Sequence, residues 1–192
     1  MDKKTKVAVL VSGGGTNLQA IIDKTQSGEL SRVELVKVIS GREGAFALER
    51  AAGAGVPTAV AKEQDDVLRE LRECGAEFVV LAGYMKVLSE EIIRNYPNRI
   101  INIHPSLIPK YCGKGFYGMR VHRAVIEGGE TESGATVHYV DEGVDTGEII
   151  LQRKVPVEPD DTPETLAARV LETEHVILAE GLKLAIEKEG MK

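Results

Sequence analysis

The stretch IINIHPSLIP, residues 100–109, has the pattern of a buried β-strand that stops at a proline. Side chains two apart in a strand share a face, so Asn102 and His104 should lie side by side, roughly 6–7 Å apart. Pro105 cannot donate to a sheet, which places His104 at the carboxyl end of the strand, where open α/β sheets bind ligands. A carboxamide beside an imidazole can polarise a carbonyl there, but two hydrogen-bonded core groups explain the pair equally well.

Strand and helix patterns alternate outward from this stretch through the first half of the chain. Valine-rich or apolar strands are predicted at residues 6–12, 33–39, 56–61, 78–82 and 99–103, with a helical pattern between each pair. The second half adds a helix at 121–127, strands at 134–141 and 148–157, and a last helix that begins with Thr162 as N-cap and Pro163. This order predicts an α/β fold, a mainly parallel central sheet with helices on both faces and a C-terminal helix, in a single domain, 1–192.

Composition restricts the classes of function. The 192 residues carry a net charge of −6 with no basic stripe, no Trp and 4% aromatic residues, so we expect no nucleic-acid partner. The apolar run after the basic N-terminus is too short for a signal peptide or a membrane span, and Cys74 and Cys112 form no metal or redox pattern. We therefore predict a cytoplasmic protein without a membrane partner, either a monomer or a homodimer.

The segment Gly13-Gly14-Gly15-Thr16-Asn17 joins the first strand to a helix that Thr16 or Asn17 should cap. Bare backbone amides at a helix N-terminus form an anion site. Leu18 replaces the last glycine of a dinucleotide motif, and no Gly-Lys-Ser/Thr follows as in a P-loop. The segment predicts a site for a single phosphate; the alternative is a tight turn without a ligand.

Two carboxylates in the second half of the chain, those of Asp145 and Glu174, are candidates for specific polar contacts. The loop at 141–147 (DEGVDTG) lacks the ligand spacing of an EF-hand, so Asp145 is either in a solvated turn or a partner of His104. Glu174 lies in the middle of the apolar stripe of the last helix, where it should pair with a basic side chain or hold the amine of a ligand. His122, His138 and His175 have no second ligand at metal spacing, so we predict no metal site.

Together these segments resemble the phosphoribosylglycinamide formyltransferases, folate-dependent enzymes of purine biosynthesis. The matching stretches are VAVLVSGGGTNLQAII (7–22), FVVLAGYMKVLS (78–89), INIHPSLIPKY (101–111) and SGATVHYVDEGVDTGEIILQRKVPV (133–157). The resemblance implies a Rossmann-like formyltransferase fold. It also implies transfer of a formyl group from the cosubstrate 10-formyltetrahydrofolate to the amine of glycinamide ribonucleotide, without a metal.

The same resemblance assigns roles to residues of this sequence. It implies a catalytic trio of Asn102, His104 and Asp145, in which Asn102 and protonated His104 stabilise a tetrahedral oxyanion and Asp145 tunes His104. It puts the substrate phosphate on residues 13–17 and the glycinamide on Glu174. The folate is expected to contact Met85, Lys86, Val87, Leu88, Asn102, Asp141, Glu142, Gly143, Val144 and Asp145.

Three other functions compete with this one. Formylation of methionyl-tRNA should require a further basic domain, and hydrolysis of formyl-folate an N-terminal regulatory domain; we expect neither in this acidic 192-residue chain. The third alternative is a phosphate-sensing module that binds its ligand without turnover and uses Asn102 and His104 structurally.

Overall fold

A single seven-stranded sheet organises the molecule. The structure, a computed structural model, describes residues 3–190, so the first two and last two residues of the predicted 1–192 domain lie outside it. The strands, β1 to β7, are Thr5–Val11, Val33–Ser40, Thr58–Val60, Phe78–Leu81, Ile100–His104, Glu132–Tyr139 and Ile149–Pro156. The helices, α1 to α6, are Thr16–Gln26, Phe46–Gly53, Gln64–Glu73, Glu90–Asn95, Met119–Glu127 and Pro163–Gly190.

The order of strands across the sheet is β3-β2-β1-β4-β5-β6-β7. The first five strands pair in parallel, whereas β6 and β7 pair antiparallel, which confirms the predicted mainly parallel sheet. The order reverses at β1, since β2 and β3 extend to one side of it and β4 to β7 to the other. Ligands of such sheets bind beyond the carboxyl ends of the strands near this reversal.

Two apolar cores cover the two faces of the sheet. Alternate residues of β1 divide between them: Val7, Val9 and Val11 enter one core, and Ala8 and Leu10 enter the other. The first core also contains side chains of α1, α2, α5 and α6, and the second those of α3 and α4. Helices therefore lie on both faces, as the alternation of strand and helix patterns predicted.

The N-caps of α6 and α1 can be compared with the helix starts that the sequence predicted. Thr162 caps α6 as predicted, since its Oγ1 accepts from the Thr165 amide at 3.3 Å while Thr165 Oγ1 accepts from the Thr162 amide at 2.9 Å. The prediction for α1 was wrong: Gly15, at φ 74°, is the N-cap, and Thr16 is already helical. A left-handed N-cap favours glycine over a residue with a side chain. None of the helices within residues 3–190 has the length and apolar character needed to cross a bilayer.

Candidate active site

The carboxyl ends of β4 and β5 open into a cavity of about 590 Å³. Because Asn102 and His104 are two apart in β5, both face it, as the alternation predicted. The other predicted site residues that line the cavity are Asn17, Met85, Lys86, Val87, Leu88, Asp141, Gly143, Val144, Asp145 and Glu174. Gly13, Gly14, Gly15, Thr16 and Glu142 do not line it, and Glu142 instead lies 3.5 Å from Arg94.

His104 and Asp145, 41 residues apart in the sequence, meet at one wall of this cavity. The distance from His104 Nδ1 to Asp145 Oδ2 is 3.5 Å, and both side chains are largely buried. The same carboxylate oxygen accepts a hydrogen bond of 2.9 Å from the Gly113 amide. Asp145 has a positive φ of 57°, a conformation that Asp adopts more readily than most residues and that turns its side chain toward His104. The loop is therefore a partner of His104 and not a solvated turn.

Burial decides the resting charge of His104. Desolvation lowers the pKa of His104 below its usual value, although the Tyr111 carbonyl and Asp145 both act to raise it. Nε2 lies 2.9 Å from the Tyr111 carbonyl oxygen, which can only accept, so this nitrogen carries the proton and Nδ1 holds the lone pair. The sequence predicted that a protonated His104 stabilises the oxyanion. The structure favours a neutral His104 imidazole before any substrate binds.

Asp145 remains ionised at this wall. Burial on its own raises the pKa of the Asp145 carboxyl, but its contacts with His138, the Gly113 amide and His104 outweigh burial and lower it. A carboxylate thus faces the unprotonated nitrogen of His104. A proton that arrives at Nδ1 is stabilised by that charge.

His138 belongs to this site, and the sequence analysis missed it. Antiparallel pairing of β6 with β5 sets His138 directly opposite Asn102, and its Nε2 lies 3.2 Å from Asn102 Nδ2 and 3.6 Å from Asp145 Oδ1. Nδ1 donates to the Tyr139 carbonyl at 2.8 Å, and Nε2 accepts from the Asn102 amide nitrogen, which can only donate. The alternation in SGATVHYV marks a strand face, but only the pairing of β6 with β5 reveals what that face contacts.

Glu174 is buried and has no basic partner. Its neighbour is Asn17, whose Nδ2 donates to Glu174 Oε2 at 2.7 Å, and no ion pair within residues 3–190 includes it. Burial raises the pKa of Glu174 to about 7, against a smaller lowering by the Asn17 hydrogen bond. A cavity-lining carboxyl without a cation is suited to a ligand amine. Asn17 Oδ1 is also buried and has no hydrogen-bond partner among residues 3–190, and Asn17, the last residue of segment 13–17, forms one wall of the cavity with Glu174.

The glycine segment adjoins this wall and has the features of an anion site. In the part of the chain that the structure describes, no acceptor is recorded for the backbone amides of residues 13–17, and the first turn of α1 carries no acidic residue. A Cβ on Gly13 or Gly14 would meet nothing within 4 Å, whereas one on Gly15 would come 2.6 Å from Ala47 Cβ. Open space in front of free amides at a helix start is where a phosphate binds.

The remaining histidines give no sign of a metal. No group of three or more His, Cys, Asp or Glu within residues 3–190 is arranged to hold an ion. His122 lines the cavity with its Nδ1 buried and unpartnered. His175 is half-buried, because α6 is covered on more than one side by the sheet and by α5.

The chain is similar in sequence and in structure to known proteins. Residues 5–182 match the model of the formyl transferase family. The chain is 46% identical to the trifunctional purine biosynthetic protein adenosine-3 of Drosophila pseudoobscura pseudoobscura over 94% of this chain, but it spans only 14% of that protein. It is 42% identical to the phosphoribosylglycinamide formyltransferase of Haemophilus influenzae, with 90% of this chain and 82% of that protein covered. A crystal structure of the enzyme of that name from Anaplasma phagocytophilum has a TM-score of 0.89 at 38% identity, covering 97% and 88% of the two chains.

Proposed function

Because this chain belongs to the formyl transferase family, and within it to the phosphoribosylglycinamide formyltransferases, we propose that it formylates the amine of glycinamide ribonucleotide with 10-formyltetrahydrofolate. The observation that carries the proposal is the meeting of Asn102, His104 and Asp145 at the end of β5, in a cavity that also contains Glu174. An amide donor, an imidazole and a carboxylate at one point are the groups that acyl transfer through a tetrahedral intermediate requires.

The cavity and its surroundings suit the two substrates in different ways. Residues 13–17 supply free amides for the phosphate of the nucleotide, and the buried carboxyl of Glu174 supplies an acceptor for the glycinamide amine. The mouth of the cavity exposes apolar side chains at Met85, Val87 and Val144, with exposed fractions of 55%, 66% and 40%. Such a surface is suited to the flat ring system of a folate, which gains free energy when apolar area leaves water.

We assign the proton to His104. Attack of the neutral amine on the formyl carbon forms a C–N bond and leaves a positive charge on that nitrogen and a negative charge on the formyl oxygen. Neutral His104 takes a proton from the former amine, Asp145 stabilises the imidazolium, and His104 then gives the proton to N10 of the folate as the C–N10 bond breaks. Nε2 already carries a proton and donates it to the Tyr111 carbonyl, so the nitrogen of His104 that takes the substrate proton is Nδ1, which faces Asp145.

Asn102 stabilises the oxyanion, and His138 orients the Asn102 side chain. Asn102 donates one of its two Nδ2 hydrogens to His138 Nε2 and keeps the second for the developing charge. A side chain fixed before the reaction stabilises the transition state without the cost of reorientation. Loss of the Asn102 amide should lower kcat by about 10²–10³.

One assay separates this function from its alternatives. The protein is mixed with 10-formyltetrahydrofolate, with and without glycinamide ribonucleotide, and loss of formyl-folate is followed spectrophotometrically. We expect turnover only with the amine; equal turnover without it indicates a hydrolase, formylation of methionyl-tRNA alone indicates the tRNA enzyme, and binding without turnover indicates a sensing module. Asn102→Ala should be inactive but folded, and His175→Gln, outside the cavity, should retain wild-type activity.

We also propose a compartment, a domain organisation and a metal-free reaction for the protein. Cys74 and Cys112 are both free thiols, which is consistent with a reducing compartment such as the cytoplasm, although related plant enzymes are named chloroplastic. One sheet that runs through all the strands supports a single domain for 1–192. The proposed steps use no metal, so a chelator should leave the rate unchanged. Sedimentation analysis distinguishes a monomer from a homodimer.

A further inference from the structure

All three carbonyl groups of the glycine segment 13–15 are held by groups outside it. The Gly13 oxygen accepts from the Ala47 amide at 3.1 Å, and the Gly15 oxygen accepts from the Gln19 amide at 2.9 Å. These two acceptors are satisfied by backbone amides of α2 and α1. The middle carbonyl, that of Gly14, has no backbone donor within residues 3–190 and is held by the side chain of Arg50, whose Nε donates to it at 2.7 Å.

Arg50 is fixed on several sides and lacks an acidic partner. Its Nη1 donates to Gln19 Oε1 at 3.2 Å, and its guanidinium lies 5.0 Å from the centroid of the Phe46 ring. None of the ion pairs recorded within residues 3–190 includes Arg50, so its positive charge beside the segment is not neutralised by a carboxylate. A guanidinium that is ordered in advance pays less entropy for each hydrogen bond it makes.

The orientation of the Gly14 peptide decides whether the segment attracts or repels an anion. A peptide between glycines rotates easily. Rotation of the Gly14–Gly15 peptide would turn the Gly14 carbonyl oxygen toward a phosphate bound at the start of α1 and the Gly15 amide away from it. Charge-assisted hydrogen bonds such as that from Arg50 are stronger than neutral ones and fix the Gly14 oxygen beside the guanidinium. The uncompensated charge adds a favourable field for a phosphate at the start of α1.

We propose that Arg50 is a positioning residue for the phosphate of the substrate, a role that rests on the proposed function. It holds the Gly14 carbonyl away from the anion and keeps the amides of residues 13–17 directed toward it. The phosphate is remote from the bond that changes, so its binding should contribute equally to the ground state and the transition state. Arg50 therefore acts on KM for the phosphorylated substrate and not on kcat.

The test compares glycinamide ribonucleotide with the glycinamide riboside that lacks its phosphate. In Arg50→Ala we expect KM for the nucleotide to rise about ten- to hundredfold with kcat unchanged, since hydrogen bonds to charged groups contribute on this scale. The ratio of kcat/KM for nucleotide over riboside should fall by the same factor, because the riboside cannot use the site. Arg50→Lys, which keeps the charge but not the planar fork, should recover part of the ratio.

The controls separate this role from a structural one and from the proposed function. Arg69→Ala, which removes an exposed arginine of α3, should leave the ratio unchanged. A wild-type enzyme that fails to formylate the nucleotide refutes the proposed function; an active wild type with an unchanged ratio in Arg50→Ala, or a loss confined to kcat, refutes the role of Arg50. Should Arg50→Ala fail to fold, Arg50→Met, which keeps an unbranched side chain but has no donor for the Gly14 carbonyl, is measured for the same ratio against the same outcomes.

Discussion

Replacement of Glu174 by Gln should remove a large pH dependence of stability. The pKa of Glu174 rises from its usual value of 4.5 to about 7 in the folded protein, a change of about 2.5 units, equivalent to about 3 kcal/mol. Because the carboxyl ionises more readily in the unfolded chain, its effect is to make the protein less stable as pH rises from 4.5 to 7. Above pH 7 the whole of this loss of folding stability is present, and below pH 4.5 none of it is.

The measurement is the free energy of unfolding of Glu174→Gln minus that of wild type, from urea titrations at pH 5, 6, 7 and 8. Every other titrating group cancels in this difference, which should grow by about 2.5 kcal/mol in favour of the variant between pH 5 and 8. Glu172→Gln, at an exposed position of the same helix, is the matched control and should give a flat difference. A flat difference for Glu174→Gln as well would refute the interpretation that its ionised form is costly without a ligand.

Three further changes test other parts of the site. Asp145→Asn tolerates the same backbone conformation and removes a charge that raises the pKa of His104, so the acidic limb of the pH–rate profile should move to lower pH and the maximal rate should fall; an unmoved limb would separate Asp145 from His104. His138→Leu should lower kcat about tenfold, whereas His138→Gln, which can still accept a hydrogen bond, should lose less. Gly15→Ala should cost about 1–3 kcal/mol in thermal or urea unfolding, because of its positive φ and its close packing, and Gly14→Ala should cost almost nothing.

Local patterns were sufficient to predict the fold, because each element is defined by its own residues. The alternation in β5 and the capping sequence before α6 both depend on neighbours within a few positions. Even the error at the start of α1 was local: three glycines offer several possible N-caps, and the close contact that selects Gly15 is made with Ala47, 32 residues away.

Most of the predicted site residues line one cavity, which the sequence pattern of each segment taken alone could not predict. Strand order brings Asn102 to the cavity, but the position of Asp145 depends on a loop between two antiparallel strands, whose pairing cannot be predicted from either strand alone. The resemblance to a family supplied Asp145 and Glu174 as site residues, whereas His138 was not assigned by it. His138 was found only when β6 was seen to lie opposite β5.

The charge of His104 shows a different limit of sequence reasoning. A carboxylate neighbour favours the imidazolium form, and this was the basis for expecting a protonated His104. Desolvation opposes this effect and lowers the pKa of His104. Its size depends on how much of the chain packs around the ring, which no single position of the sequence determines. With His104 almost fully buried, desolvation prevails.

A neutral His104 still leaves this site prepared for a proton. Asp145 lies between two imidazole nitrogens, His104 Nδ1 at 3.5 Å and His138 Nε2 at 3.6 Å. Nε2 of His104 donates to the Tyr111 carbonyl, so the nitrogen of the neutral His104 ring that faces the carboxylate carries a lone pair. A lone pair opposite a carboxylate is repulsive at rest, and a proton at His104 Nδ1 relieves the repulsion by donating to Asp145. His104 is therefore uncharged at rest, and in the proposed reaction it gains most from a proton when the tetrahedral intermediate releases one.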